Sequence, residues 1–170
     1  MSLPPPTPHS IRERSAGYAL RRPAPGPAPT AGNVFHLSAL ERVRLVKQGL
    51  PARAVQEMSA AMGLPREQFL RAVGLARSTI ERKIAARGQL SEPESEKIVG
   101  LSRLIGQVDD MVRSAGQAPA DFDAARWFAA WMAEPVAALG GACPQELLDT
   151  ADGREALAQL LLQMQAGTYA

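Results

Sequence analysis

Apolar side chains recur every three or four residues from about residue 33 to the C-terminal end of the chain, which is the spacing of one face of an α-helix. Alanine and leucine are plentiful and aromatic residues make up only 5% of the sequence, a composition that suits closely packed helices. At 170 residues, the chain can bury one ordinary core or two small helical ones. The pattern therefore predicts an all-α fold.

Local start signals divide residues 33–118 into several short helices and one long helix. Ser38 with Glu41, and Ser91 with Glu94, have the spacing of a capping box, in which serine accepts a backbone N–H and glutamate reaches back to the serine N–H. Glycine and proline residues separate the helices between the two boxes. After Ser91 comes the longest apolar stripe, which predicts a central helix that joins the two halves of the chain. Its members are Ile98, Leu101, Leu104, Ile105, Val108, Met111 and Val112.

A basic segment, residues 66–90, lies between these boxes and carries six basic side chains against Glu67 and Glu81. Gly74 falls in a tight connection between two short helices. Ser78 with Glu81 again has capping-box spacing, which predicts that a helix begins at Ser78. Two isoleucines four residues apart should face inward from that helix, and its basic and hydroxyl side chains should point outward or lie at its N-terminus.

This arrangement is typical of a helix-turn-helix, whose second helix enters the major groove of DNA. The alternative is an ordinary amphipathic helix with a basic solvent face. On the first interpretation, the helix N-terminus and its hydroxyl groups bind phosphate and the cations read base edges. The predicted DNA-contacting residues are Arg77, Ser78, Thr79, Arg82, Lys83 and Arg87.

Residues 121–170 contain both tryptophans, the single cysteine and the only Gly-Gly pair. From Asp121 to Met132 the apolar residues have helical spacing, and Trp127 and Trp131 share a second face of that helix. One face must pack inward, which leaves the tryptophans for the rest of the chain or for a partner. A Gly-Gly turn, a short helical turn opened by a proline and a last amphipathic helix follow, with a glycine placed to stop that helix. The apolar stripe of the last helix is Leu157, Leu160, Leu161 and Met164.

The formal net charge of +2 hides an asymmetry between the two ends of the chain. Residues 1–118 carry 17 Lys and Arg against 10 Asp and Glu, giving +7, whereas residues 119–170 carry 2 against 7, giving −5. A basic front and an acidic back indicate two different partners. The front suits a polyanion such as DNA. The back suits a protein with a basic surface, such as one that binds a phosphate-bearing cofactor.

The start of the chain is rich in proline. Residues 1–32 hold eight of the fourteen prolines, which predicts a flexible arm that cannot build a core.

Several function classes are excluded by composition. The single cysteine, Cys143, fits a reducing cytoplasm, and no apolar run approaches the roughly 18–20 residues that span a bilayer, so we predict a cytoplasmic protein with no membrane partner. With two histidines and no Cys/His cluster, we predict neither a metal nor a cofactor. No phosphate loop, metalloprotease helix or nucleophile elbow occurs, so we predict that the chain is not an enzyme.

The run W-M-x-x-P-x-x-A-L-G-G-x-x-P-x-x-L-L-D-T-x-x-G spans Trp131 to Gly153 and is followed by an apolar helix and a terminal G-x-Y. This pattern resembles the toxin-binding domain of the Xre/MbcA/ParS antitoxins, which partner RES-domain toxins. With the proline-rich arm at residues 1–32, it divides the chain into two further regions. Residues 33–118 form an Xre-like helix-turn-helix bundle with the central helix, and residues 119–170 form a small helical toxin-binding domain with a terminal tail.

The resemblance implies an antitoxin of a type II toxin–antitoxin system that represses its own operon. It also implies that the chain blocks the active site of an NAD-using toxin with an ADP-ribosyltransferase-like fold. In the family the chain end inserts toward the NAD pocket of the toxin. A tyrosine ring can fill a slot for a planar group, and the terminal carboxylate can pair with arginines that hold the cofactor phosphates. The predicted toxin-binding residues are Trp127, Trp131, Leu139, Gly140, Gly141, Gln165, Gly167, Thr168, Tyr169 and Ala170.

The predicted partners are therefore a RES-domain toxin, operator DNA and a second copy of the chain, as a homodimer within a toxin–antitoxin hetero-oligomer. The alternative is a stand-alone helix-turn-helix transcriptional regulator whose C-terminal domain only dimerises or senses a ligand. A regulator of that kind has no need of a G-x-Y tail.

Overall fold

The computed structural model describes residues 31–116 and 119–167, with side-chain environments from residue 34 onward. Within these ranges the chain forms eight α-helices, and its only extended pairing is an isolated bridge between Pro51 and Gln89. The all-α prediction is confirmed, whereas most of the predicted proline-rich arm lies outside the described residues. The helices are α1 (Ala31–His36), α2 (Ala39–Gln48), α3 (Arg53–Ala61), α4 (Arg66–Val73), α5 (Arg77–Ala85), α6 (Glu92–Ser114), α7 (Ala124–Trp131) and α8 (Ala151–Gln165), with short 3-10 helices at Ala137–Leu139 and Pro144–Leu147.

Two of the three predicted capping boxes form. The Ser38 hydroxyl accepts the Glu41 N–H at 3.3 Å, and the Glu41 carboxylate accepts the Ser38 N–H at 2.8 Å. Ser91 and Glu94 make the same reciprocal pair at the start of α6. Both helices therefore begin where the sequence predicts, because each cap needs only residues three apart.

The capping box predicted at Ser78 is wrong. Helix α5 already begins at Arg77, and its N-cap, Ala76, has no side chain that could accept a hydrogen bond. Glu81 does not cap the helix but accepts hydrogen bonds from Arg66 of α4 at 3.1 Å. A tertiary ion pair thus uses the carboxylate that the local pattern assigns to a cap.

Helix α6 lies at the centre of the molecule, as its apolar stripe predicts. It contacts α1, α2, α7 and α8. Its five N-terminal stripe residues are at most 2% exposed, and Met111 and Val112 toward its end are half-buried. The buried apolar residues before and after α6 form one continuous cluster, so the central helix belongs to the core of both halves.

Helix α7 is shorter than the predicted span from Asp121 to Met132. Asp123 is its N-cap, and its carboxylate accepts the Arg126 N–H at 3.0 Å. Asp121 and Phe122 therefore precede the helix, because the chain becomes helical only after the capping carboxylate. Among the described residues, no helix is both long and apolar enough to cross a membrane.

Candidate functional site

The two tryptophans of α7 form a stacked pair at the boundary between core and surface. Their ring centroids are 5.9 Å apart with an interplanar angle of 13°, and both side chains are half-buried. Trp131 also packs on Phe128 at 5.6 Å between centroids, and Phe128 is fully buried. The prediction of one inward face and a separate tryptophan face is confirmed. Because buried Phe128 packs against Trp131, the position of the tryptophan pair relative to the core is fixed.

A tight loop follows α7 and exposes the two glycines. The Val136 N–H donates to the Ala142 carbonyl, and the Gly141 N–H donates to the Val136 carbonyl, both at 3.1 Å. Gly140 (φ 66°) and Gly141 (φ 88°) are both in left-handed conformations, which glycine adopts without strain. Both glycines are exposed, and apart from the adjoining residues of the chain no described atom lies within 4 Å of where a Cβ would be placed on either. Leu139, next to them, is half-buried and packs against the core. The loop therefore presents nearly bare backbone beside an anchored leucine.

Hydrogen bonds tie the next turn, Pro144–Leu147, back onto the end of α7. The Gln145 N–H donates to the Met132 carbonyl at 3.0 Å, and the Cys143 thiol donates to the Ala133 carbonyl at 3.4 Å. The Glu146 carboxylate accepts the Cys143 N–H at 2.9 Å. Proline opens this turn as predicted, and Cys143 has a structural hydrogen bond.

Gly153 is required where α8 leaves that turn. The Thr150 hydroxyl accepts the Gly153 N–H at 3.0 Å and caps the helix. A Cβ on Gly153 would lie 2.0 Å from the Leu147 carbonyl oxygen, a distance at which atoms overlap. The last glycine of the W-M…G run therefore has a steric reason, namely the close approach of α8 to the preceding backbone.

Helix α8 brings the predicted toxin-binding residue Gln165 to the surface. Leu157 and Leu161 are fully buried, whereas Leu162 is 48% exposed. Gln165 and Gly167 are both exposed, and Gly167 (φ 66°) ends the helix in a left-handed conformation as predicted. The remaining three predicted residues, Thr168, Tyr169 and Ala170, lie outside the described residues, so their role stays a prediction.

The predicted DNA-reading unit consists of α4, a turn at Gly74 and α5. Gly74 is left-handed (φ 66°) and ends α4. Ile80 is fully buried and Ile84 is half-buried, which confirms the predicted inward face of α5. Arg77, Ser78, Arg82 and Arg87 are exposed and Thr79 is half-buried.

The predicted outward orientation of Lys83 is wrong. Its ammonium group is hydrogen-bonded to Glu94, and its side chain is only 24% exposed. Burial raises the pKa of Glu94, but hydrogen bonds from Lys83 and Ser91 outweigh it and hold that pKa below its usual value. Lys83 thus fastens the end of α5 to the start of α6.

Ion pairs also occupy other cations of this unit. Arg77 lies 3.4 Å from Glu67, and Arg66 pairs with Glu81. Within the described residues, neither Arg82 of α5 nor Arg87, two positions after α5 ends, forms an ion pair, which makes these two cations of the unit the most available to a phosphate or a base.

Sequence reasoning missed the buried Arg154 of α8. Its side chain is 5% exposed and bonds to the Glu96 carboxylate of α6. One signal was available, since residues 119–170 hold only two basic residues and this one lies in the first turn of α8, four positions after the Thr150 cap. Its partner, 58 positions earlier, has no local signature.

Comparison with known proteins finds two antitoxin domains in the chain. Residues 41–103 match the antitoxin Xre-like helix-turn-helix domain, and residues 116–167 match the antitoxin Xre/MbcA/ParS C-terminal toxin-binding domain. The fold and these two domains define a helix-turn-helix antitoxin of a toxin–antitoxin system.

Three relatives carry related names. The chain is 34% identical over 137 residues to the "Prs ADP-ribosylating antitoxin" of Sphingobium sp. (strain YBL2), which covers 81% of this chain and 86% of the relative. It is 23% identical over 125 residues to "Antitoxin Xre" of Yersinia enterocolitica, covering 73% of this chain and 78% of the relative. It is 25% identical over 132 residues to "Antitoxin Xre" of Photorhabdus laumondii, covering 78% and 80%. The chain belongs to the Xre/MbcA/ParS family of antitoxins.

Proposed function

We propose that this antitoxin neutralises a RES-domain, NAD-using toxin with an ADP-ribosyltransferase-like fold by covering the toxin's active site with its C-terminal residues. The observation that carries this proposal is the surface of the toxin-binding domain, where the tryptophan pair is half-buried and the Gly140–Gly141 loop and the end of α8 are exposed. The stacked tryptophans, the bare Gly140–Gly141 loop and the exposed end of α8 all belong to the segment that matches the toxin-binding family. The antitoxin acts by binding and not by catalysis.

Charge supports the proposed partner. Residues 119–170 carry a net −5, which complements a pocket that binds a phosphate-bearing cofactor. The Sphingobium relative is named "Prs ADP-ribosylating antitoxin", and ADP-ribosylation uses NAD as its substrate. Within this mechanism the Tyr169 ring occupies the slot for a planar group of NAD.

The test is NAD consumption by the product of the neighbouring gene, which this proposal expects to be the RES-domain toxin. It is measured alone, with the full antitoxin, and with an antitoxin that ends at Gln165. Silencing by the full chain and loss of silencing by the shortened chain support the tail mechanism. If both forms silence the enzyme, the surface from Trp127 to Leu148 does the blocking and the tail mechanism is wrong.

We also propose that the antitoxin binds its own operator as a homodimer, with α5 in the major groove. Exposed Arg82 and Arg87, with no ion pair among the described residues, supply the cations, and Ser78 and Thr79 lie in the first turn of α5. Fluorescence anisotropy with labelled upstream DNA tests this at two salt concentrations, since phosphate contacts release counterions. Equal affinity for upstream and unrelated DNA would contradict operator recognition.

The stand-alone regulator remains the alternative function, favoured by the helix-turn-helix itself. It predicts sequence-specific DNA binding but no complex with a RES-domain protein. Size-exclusion chromatography of the two co-expressed proteins separates the alternatives, because only the antitoxin elutes with its partner.

A further inference from the structure

Arg154 is a buried cation at the junction between the toxin-binding domain and the central helix. One guanidinium nitrogen donates to both carboxylate oxygens of Glu96, at 2.5 and 2.6 Å. A second nitrogen donates to the Leu148 carbonyl at 2.7 Å. A guanidinium that is almost fully buried is stable only when paired and hydrogen-bonded in this way.

Gly100 of α6 makes room for this side chain. A Cβ at Gly100 would lie 2.5 Å from the Arg154 Nε atom and 2.9 Å from its Cδ atom. Any larger residue at this position would push the arginine away from α6. Glycine is otherwise unfavourable inside a helix relative to alanine, so its presence here indicates a packing requirement.

A second contact fixes the register of the same two helices. The buried Gln107 side chain donates to the Ala158 carbonyl at 2.9 Å. With Arg154 at one contact and Gln107 at the other, α8 can neither slide nor rotate on α6 without leaving buried polar atoms unpaired. The orientation of α8 therefore depends on α6.

Arg154 also contacts the W-M…G run of the toxin-binding domain, residues 131–153. The Leu148 carbonyl that it binds belongs to that run, and Gly153 of the run directly precedes it. The arginine thus joins the turn after Pro144, the first turn of α8 and the central helix at one point.

We propose that Glu96, Gly100 and Arg154 are positioning residues for toxin neutralisation. They set the direction of α8 and so place its exposed end, at Gln165 and Gly167, against the toxin. The toxin-binding unit accordingly includes α6, although the matched toxin-binding domain begins only at residue 116. This inference rests on the proposed function.

The experiment uses the full chain with Gly100→Ala and Arg154→Met. The control is Arg103→Gln, because Arg103 and Glu155 join the same two helices through a pair at 3.2 Å whose side chains are 39% and 52% exposed. Inhibition of NAD consumption by the cognate toxin is titrated with each variant. Circular dichroism confirms helix content at the assay temperature.

Both junction variants are expected to raise the half-inhibitory concentration by about tenfold or more, because a buried pair is broken or displaced, while the exposed control changes it by less than about threefold. They are also expected to leave residual toxin activity at saturating antitoxin, since a bound but misdirected α8 covers the active site incompletely. A purely structural role would shift the midpoint of thermal unfolding and leave the plateau of inhibition at zero.

Glu96→Gln covers the case in which Arg154→Met does not fold. It keeps an acceptor for the guanidinium on a residue whose side chain is 44% exposed, and it should produce the same residual activity in smaller degree. If folded junction variants inhibit completely and with wild-type potency, the positioning role is wrong and the proposed function stands. If the wild-type chain fails to inhibit the toxin, the proposed function fails and the positioning role fails with it.

Discussion

Replacing Gly153 by alanine should destabilise the protein through one steric clash. The new Cβ would lie 2.0 Å from the Leu147 carbonyl oxygen and 2.8 Å from the Thr150 hydroxyl oxygen. Both neighbours are held in place, the first by the backbone and the second by its role as the α8 cap, so α8 must move away.

The size of the destabilisation follows from two unfavourable contributions and one favourable contribution. Overpacking against backbone costs up to about 3 kcal/mol. Loss of the Thr150 cap adds about 1 kcal/mol. The higher helix propensity of alanine recovers up to about 1 kcal/mol. The free energy of unfolding should therefore fall by about 3 kcal/mol, which corresponds to a decrease in Tm of roughly 6–12 °C for a chain of this size.

Urea unfolding followed by circular dichroism measures this change. Gly88→Ala is the matched control, because the nearest atom to its Cβ would be the Lys83 carbonyl oxygen at an ordinary 3.5 Å. The control should change the free energy of unfolding by less than about 1 kcal/mol. Equal stabilities of the Gly153 and Gly88 variants would refute the steric account of the turn.

Three further predictions concern the rest of the site. The pKa of Glu94 is lowered in the folded state, so its contribution is present above the unfolded value of 4.5 and is lost as pH falls through the folded pKa. Glu94→Gln should therefore lower Tm near neutral pH and converge with wild type in acid; a constant difference in Tm at every pH would contradict this. Arg82→Ala should weaken operator binding without changing Tm, whereas Lys83→Ala should lower Tm, because the Lys83 ammonium group is hydrogen-bonded to Glu94. If the two variants have equal effects on DNA-binding anisotropy and on Tm, the assignment of Arg82 to DNA binding and of Lys83 to stability is wrong. Phe128→Ala should lower the free energy of unfolding, measured in urea, by about 3–5 kcal/mol, because the ring is fully buried. Trp127→Ala should lower it less and should weaken toxin binding more. If calorimetry finds unchanged toxin affinity for the Trp127 variant, that ring is not part of the interface.

Features specified by neighbouring residues could be predicted from the sequence. The caps at Ser38 and Ser91 and the stop at Gly167 each depend on residues within one helical turn. The central helix and its buried stripe follow from periodicity alone, because one face of a helix this long must pack against something. The double glycine was predictable as a turn, since both residues adopt left-handed dihedrals.

Features specified by distant residues could not be predicted in this way. Ser78 has the same spacing to Glu81 as Ser38 has to Glu41, yet Arg66 takes the carboxylate and the helix begins at Arg77. The same holds for Lys83, which is half of an ion pair with Glu94, eleven residues away.

The residues of the candidate site also fall into those that the sequence predicts and those that depend on distant contacts. The tryptophan pair could be predicted from its spacing of four residues, whereas Arg154 could not, because its importance depends on Glu96 and on the absence of a Cβ at Gly100. Gly153 is the last residue of the W-M…G run, but its steric role becomes evident only when the position of the Leu147 carbonyl is known.

The most direct test of the proposed toxin neutralisation is a titration of the proposed RES-domain toxin with this chain, with NAD consumption as the readout. Toxin neutralisation predicts that activity falls in proportion to added antitoxin and reaches the baseline at a fixed molar ratio. The claim would be contradicted if both proteins are shown to be folded and NAD consumption nevertheless stays constant with the antitoxin in molar excess.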